Sequence, residues 1–242
     1  MTAEVRSADV HELYGGGDGG PPVFDTCVVV PTHPARGAAK DPTSLLGRAL
    51  ASVYAQTLLP FGIAIALDTD RSGAAKTRQA ALDEALKMGT EFVSFLDSDD
   101  TWYTGKEEDG VHFGHLATHR RLLCGESGTE DLGDVAYSWF DGNGIHKEWE
   151  ATHRGKAWDP RPNMGHHITM TITVRSSFAR RASFLGPDLH EDWTGEDWRF
   201  ILALNELGAR FVGTGDITWT YQVGHGGNTS GSPLRGDAAL PA

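Results

Sequence analysis

The sequence predicts an α/β fold, a three-layer sandwich built on a central, mostly parallel sheet. Three observations carry this. Short apolar runs of strand length alternate with segments of helical period through the first half of the chain. One of those runs, in Glu91–Asp100 (EFVSFLDSDD), breaks abruptly into carboxylates, as expected where a buried strand delivers its end to a ligand. The chain has 242 residues, 39% of them hydrophobic and 9% aromatic, which suffices for one large core.

Taken in order, residues 1–22 carry little apolar content and end in GGGDGGPP, the composition of a flexible arm. Thr26–Pro31 (TCVVVP) reads as a short buried strand. A helix is expected from Asp41, as cap, with Pro42 at its first position and Leu45, Leu46, Ala49, Leu50 and Val53 at helical spacing. Phe61–Leu67 (FGIAIAL) is a second strand, ending in Asp68, Thr69 and Asp70. A second helix runs from Ala74 to Met88, stopped by Gly89, and leads into the strand before Asp97.

The later residues are less regular. A helical segment is expected over Lys106–Leu123 and a strand over Asp134–Phe140, followed by a Gly-, Pro-, Trp- and His-rich stretch, 141–166, without a clear period. Ile168–Val174 alternates apolar residues with threonines, the pattern of a half-buried strand. A short helix at Ser176–Ser183, the loop GPDLHEDWTG, the helix EDWRFILALNEL, and strands at Arg210–Val212 and Ile217–Gln222 follow. The expected organisation is a single domain over 23–230, with a first half 23–104, a second half 105–230, and a tail at 231–242.

Composition narrows the function. The formal charge of -12 argues against broad adhesion to DNA, RNA or anionic membranes, leaving Arg120-Arg121, Arg175, Arg180 and Arg181 as local basic patches. Two cysteines make no disulfide framework, and Cys27, inside an apolar strand, reads as a buried free thiol. No apolar run approaches the ~20 residues that span a bilayer, and no signal peptide opens the chain, so the expectation is a cytoplasmic protein.

Asp97, Ser98, Asp99 and Asp100 place three carboxylates in four residues at a strand end. They could simply form an acidic turn that caps the next helix. A hard divalent cation carrying a diphosphate is nonetheless a natural occupant, since Mg²⁺-type ions take one or two carboxylates plus phosphate oxygens. A second pair, Glu196-Asp197, opens the helix WRFILALNEL, where a helix dipole alone would also favour acids.

Together these stretches resemble glycosyltransferase family 2. TCVVVPTHPA, LLGRALASVYAQTLLPFGIAIALD, GAAKTRQAALDEA and EFVSFLDSDD are similar to its nucleotide-binding half, and SFLGPDLHEDWTGEDWRFILALNELGARFV to its acceptor half. TYQVGHGGNTS resembles its closing His-containing loop. The resemblance covers roughly residues 26–230 and implies the Rossmann-like GT-A fold. It implies a metal-dependent, inverting transfer of a sugar from a UDP- or GDP-sugar to an acceptor hydroxyl. That acceptor could belong to a glycan, a protein, a small molecule or a modified nucleic-acid base.

The resemblance also implies roles. Asp97 and Asp99 would hold Mn²⁺ or Mg²⁺ against the diphosphate, with Asp97 closer to the ribose and His225 as a further metal contact. Asp197 would be the general base and Glu196 would position the acceptor or tune Asp197. Pro31 and Thr32 would meet the nucleotide, Asp68 would read the base edge, and Arg78 would touch the diphosphate. The family usually inserts a further helix and strand between positions matching Asp70 and Ala74, and here that unit is missing.

Two alternatives stand beside this. A nucleotidyltransferase would need a Gly-dense, basic loop after the first strand, which THPARGAAK lacks. An inactive sugar-nucleotide-binding module would not need both carboxylate pairs. His112, His115 and His119 fall at i, i+3 and i+7, and read as a solvated or partly packed helical face rather than a zinc site. His166-His167 could line the acceptor cleft. Trp139, Trp149, Trp158 and Trp193 could serve either a sugar cleft or the core.

Overall fold

The computed structural model describes residues 4–9, 23–104, 107–108, 111–112, 114–142, 170–186 and 195–222. Strands β1 (Glu4–Asp9), β2 (Val23–Thr32), β3 (Leu59–Leu67), β4 (Phe92–Phe95), β5 (Thr101–Trp102), β8 (Val135–Gly142), β9 (Ile172–Arg175) and β10 (Phe211–Tyr221) join in one sheet. Its order is β1-β3-β2-β4-β9-β8-β10-β5. Strands β6 (Glu107–Glu108) and β7 (Val111–His112) form a separate small hairpin. Pairing is parallel for β2 with β3, β2 with β4 and β8 with β10, and antiparallel elsewhere, so β2, β3, β4, β8 and β10 all point the same way. The result is a Rossmann-like α/β sandwich of the GT-A type, as the sequence implies.

Both faces of this sheet are covered by helices, which is why β2 and β4 read as near-continuous hydrophobic runs. On one face, Val29, Ala64, Phe95, Val135 and Ile172 pack under α2 (Ala74–Lys87) and α5 (Glu196–Glu206). On the other, Val28, Val30, Ile63, Leu96 and Ala136 pack under α1 (Leu45–Tyr54) and α3 (His115–Cys124). The short α4 (Ser176–Ala179) follows β9 directly. Cys27 and Cys124 are free buried thiols, and burial pushes the Cys27 thiol up to about 12. Among the described residues no helix is long and apolar enough to cross a membrane.

Several expectations change. Glu4–Asp9, assigned to a flexible arm, instead pair antiparallel with β3 over six positions, from Gly62 to Leu67. This is the sheet edge beyond β3, and β1 joins it through main-chain pairing. Helix α1 is capped by Ser44, whose Oγ accepts from the Gly47 amide at 2.9 Å, while Asp41 holds only the preceding turn through Thr43. The segment expected to be helical from Lys106 contains β6 and β7 first, and the helix begins only at His115. The two last strands are one, β10, with a register shift between Gly213 and Ile217. The short helix after β9 ends at Ala179 rather than Ser183.

The histidine face is also revised. His112 lies on β7, outside the helix, while His115 and His119 are completely buried. They close a chain of hydroxyls and imidazoles across the sheet. Thr26 Oγ1 meets Ser94 Oγ at 2.9 Å, which meets Thr173 Oγ1 at 2.8 Å, which meets His119 Nδ1 at 2.8 Å. His119 Nε2 lies 3.0 Å from Ser138 Oγ, which contacts Thr218 Oγ1, itself 2.8 Å from His115 Nδ1. Trp102 stacks on the His115 ring with centroids 4.4 Å apart. Thr171 and Thr173 are therefore buried, and β9 is covered on both faces rather than half-exposed. Burial keeps both imidazoles neutral, pushing His119 down to about 3 and His115 well below its usual value.

Candidate functional site

Because β2, β3 and β4 run parallel, their carboxyl ends share one edge of the sheet. The order β3-β2-β4 makes β2 the point where connections diverge to either side, and ligands collect at such a switch point. Pro31 and Thr32 end β2, Asp68 follows β3, and the turn Asp97–Asp100 follows β4. Within that turn the Asp100 amide donates to the Asp97 carbonyl at 3.0 Å.

Arg78 organises the edge. Helix α2 buries Thr77, Arg78, Ala81, Leu82, Ala85 and Leu86 along one stripe, so the arginine is carried inward by the apolar face of its own helix. Its side chain is 6% exposed. Nη2 donates to Asp97 Oδ1 at 2.7 Å, Nη1 donates to Glu196 Oε1 at 2.6 Å, and Nη1 also donates to Asp197 Oδ1. The guanidinium lies 5.6 Å from the Phe184 ring centroid, in an aromatic cluster where Phe184 stacks on Phe200 and Phe95 meets both edge-on. One buried arginine thus ties the carboxylate after β4 to the pair that opens α5, 118 and 119 residues beyond the arginine itself.

Burial works against the Arg78 cation, but Asp197, Asp97 and Glu196 outweigh it and hold the group charged. Asp197 moves the other way: burial pushes its carboxyl up to about 7, and although Arg78 draws it down, Asp97 and Glu196 raise it again. A single guanidinium shared by three carboxylates cannot neutralise them all. That leaves Asp197 a carboxyl group poised to exchange a proton near neutral pH.

The rest of the turn is tied differently. Arg36 Nη1 lies 2.7 Å from Asp99 Oδ2. Asp100 is buried and accepts from the Gln222 amide at 2.9 Å, pinning the end of β10 to the acidic turn. It therefore supports the turn rather than capping a helix, since β5 follows it. Burial, with Asp97 and Asp99 beside it, holds its carboxyl well above the usual carboxylate range. Asp68 is buried and engaged within its own turn: its carboxylate accepts from the Ser72 amide at 2.7 Å and the Gly73 amide at 3.1 Å, shaping the entry to α2. Thr32 accepts the Asp68 amide through its carbonyl at 2.9 Å.

The structure brings together Asp97, Arg78, Glu196 and Asp197 from the sequence-based set, with Pro31, Thr32, Asp68 and Asp99 on the same edge. His225, His166-His167, Trp149, Trp158 and Trp193 lie outside the described residues. Trp139 belongs to the core, 3% exposed and stacked on Phe140. Of the basic patches, Arg175 is occupied by Glu91 and Asp131, and Arg180 donates to the Leu86 carbonyl. Two residues at the edge were not legible in the sequence. Arg36 stood in the loop after the first strand with no periodic signal. Tyr221, at the end of β10, is 38% exposed, and burial together with Asp100, Asp97, Asp99 and Asp197 raises its phenol.

Among the described residues no group of three His, Cys, Asp or Glu side chains forms a ready-made metal cage. Asp97 and Asp99 offer hard carboxylate oxygens, which suits Mg²⁺ or Mn²⁺ sharing its shell with phosphate oxygens rather than a metal held by protein alone.

No protein-family model matches the chain, and no curated protein matches it in sequence. Solved structures match its fold. A structure of S. aureus TarS residues 1–349 in complex with UDP-GlcNAc superposes with a TM-score of 0.53 at 18% identity, covering 87% of this chain and 62% of the TarS chain. A second TarS 1–349 structure gives 0.50 at 17% identity, over 82% and 60%. This chain therefore spans about three fifths of those TarS chains, and the likeness to that glycosyltransferase is one of fold.

Proposed function

We propose that the chain is a metal-dependent, inverting glycosyltransferase that moves a sugar from a nucleoside-diphosphate sugar to an acceptor hydroxyl. The observation that carries the reading is Arg78, a buried guanidinium that joins the carboxylate after β4 to Glu196 and Asp197 in one ion cluster. A donor site at the strand ends and a base at the start of α5 then stand a single guanidinium apart. The UDP-GlcNAc complex of TarS, which shares the fold, favours a UDP-sugar as donor.

Asp97 and Asp99 would hold the Mn²⁺ or Mg²⁺. His225 would join them from the segment after Gln222, whose amide is fixed to Asp100. The cation supplies charge neutralisation on the departing diphosphate. Asp197 takes the proton from the acceptor hydroxyl, its raised proton affinity matching the task at neutral pH, and Glu196 orients that hydroxyl. Attack from the side opposite the diphosphate inverts the anomeric centre. Pro31 and Thr32 border the nucleotide, while Asp68 keeps the neighbouring turn in shape.

The test is incubation with UDP- and GDP-sugars and Mn²⁺, with and without candidate acceptors, reading the released product. Free nucleoside diphosphate, dependent on Mn²⁺, is the expected result. Pyrophosphate would instead indicate a nucleotidyltransferase, and tight donor binding with no product an inactive binding module.

A further inference from the structure

We propose that Arg36 is an exchangeable counter-ion. It neutralises Asp99 before a cation binds, and it swings onto the donor's phosphates when a divalent cation takes Asp99. The inference rests on the function proposed for this edge and adds a residue to it that the sequence did not indicate.

The mount of Arg36 is well defined. Pro34–Arg36 is a single 3-10 turn whose entry is capped by His33, with Nδ1 accepting from the Ala35 amide at 3.1 Å. Its exit is fixed by Gly37, at φ 85°, where the left-handed backbone and the contact with Ser44 leave no room for a side chain. The flanking residues Pro34, Ala35 and Gly37–Thr43 are exposed, whereas the Arg36 side chain turns inward and is only 12% exposed. The turn projects this guanidinium across the end of β2 onto the acidic turn after β4, 63 residues away in sequence.

Asp97 and Asp99 each carry a guanidinium, but the two arrangements differ. Arg78 is gripped by three carboxylates beside the aromatic cluster and cannot leave without stranding them. Arg36 reaches from a surface turn to a carboxylate oxygen of Asp99 at 2.7 Å. A divalent cation coordinated by Asp99 would compete for that oxygen and repel the guanidinium at close range. A diphosphate brought in with the cation offers new acceptors, and the planar fork of arginine matches phosphate oxygens in a way a lysine ammonium does not. One displacement then serves two purposes: the acidic turn is not left uncompensated before the donor arrives, and a second cation reaches the leaving group when it does.

The experiment uses Arg36→Met and Arg36→Lys in the full chain, each checked for an unchanged melting profile. Mn²⁺ alone is titrated by electron paramagnetic resonance, and UDP is titrated by calorimetry at saturating Mn²⁺. Arg36→Met is expected to bind Mn²⁺ about tenfold more tightly, because its competitor is gone, and UDP about tenfold more weakly. Arg36→Lys is expected to keep Mn²⁺ affinity near wild type without restoring UDP affinity, since it retains the charge but not the fork. Opposite shifts in the two affinities are required. If Arg36→Met changes neither, or moves both the same way, the exchange is overturned while the proposed function stands. If the unmodified chain binds neither Mn²⁺ nor UDP, the proposed function fails first and this inference with it.

Discussion

Seven polar side chains cross the middle of the sheet from Thr26 to His115 without a formal charge, whereas the carboxyl edge brings the guanidiniums of Arg36 and Arg78 to the carboxyl groups of Asp97, Asp99, Glu196 and Asp197. The mid-sheet chain is hydroxyl to hydroxyl to imidazole, with only His115 Nε2 at its end left without a partner, and burial keeps its histidines neutral. At the edge, the charges do not balance. Arg78 is divided among Asp97, Glu196 and Asp197, and burial, with Asp97 and Glu196 beside it, pushes Asp197 toward its protonated form. A neutral hydrogen-bonded network fixes how α3 sits on the sheet. An under-neutralised one stores affinity for cations and protons, which is what the role proposed for this edge requires.

The largest expected effect is at Arg78. Arg78→Met leaves three half-buried carboxylates without their cation, and should destabilise the fold by about 3 kcal/mol, the low end for a broken buried pair, at pH 7.5 in urea denaturation. The loss should shrink at pH 5, where Asp197, whose carboxyl burial pushes up to about 7, is protonated. An equal loss at both pH values would mean packing against Phe184, not charge, is what Arg78 supplies.

A smaller effect is expected in the neutral chain. Thr173→Val keeps shape but leaves Ser94 and His119 short of a partner, costing about 1–3 kcal/mol. UDP affinity should not move, because Thr173 lies away from the edge. A loss of UDP binding beyond the change in folded fraction would show that the two networks are not separate.

The finest distinction lies in pH. His119 binds its proton more readily unfolded, near its ordinary 6.5, than folded, near 3, so its stabilising contribution is present above pH 6.5 and is lost as pH falls through that window. Asp197 binds its proton more readily folded, so its contribution is present in full below its ordinary value of 3.8 and fades as pH rises from there to about 7. Between pH 4 and 6.5 the two slopes oppose each other, each by about 1.4 kcal/mol per pH unit. His119→Gln should therefore make stability fall more steeply with rising pH, and Asp197→Asn should make it climb. Parallel curves for the two variants would collapse the comparison.

How much of this could be read from the chain follows the same division. The edge was legible because its parts announce themselves locally: an apolar run ends in DSDD, and an acidic pair opens a helix. Arg78 was half-legible, since the period of Ala81, Leu82, Ala85 and Leu86 places it on the buried stripe, but a lone arginine there does not name its partners. The mid-sheet chain was not legible, because His119 and Thr173 are 54 residues apart and His115 and Thr218 are 103 apart. Histidines at helical spacing look solvated until the hydroxyls that satisfy them are found. Strand β1 hid for another reason: an edge strand is recruited by main-chain bonds, and EVRSAD offers little apolar pattern. Arg36 and Asp99, 63 positions apart, meet only because β2 and β4 are neighbours.

The central claim is that the edge is one site, with donor binding and proton transfer held by different carboxylates. Asp197→Asn tests it in one preparation, by titrating UDP in the presence of Mn²⁺ and measuring the initial rate of UDP release from a UDP-sugar. Asparagine keeps an oxygen that can accept from Arg78, so UDP and Mn²⁺ affinity should stay close to wild type. Turnover should fall by roughly 10² to 10⁴, the loss expected for a general base. Preserved turnover with a lowered melting temperature would contradict the account and return Asp197 to the role of an acidic helix start.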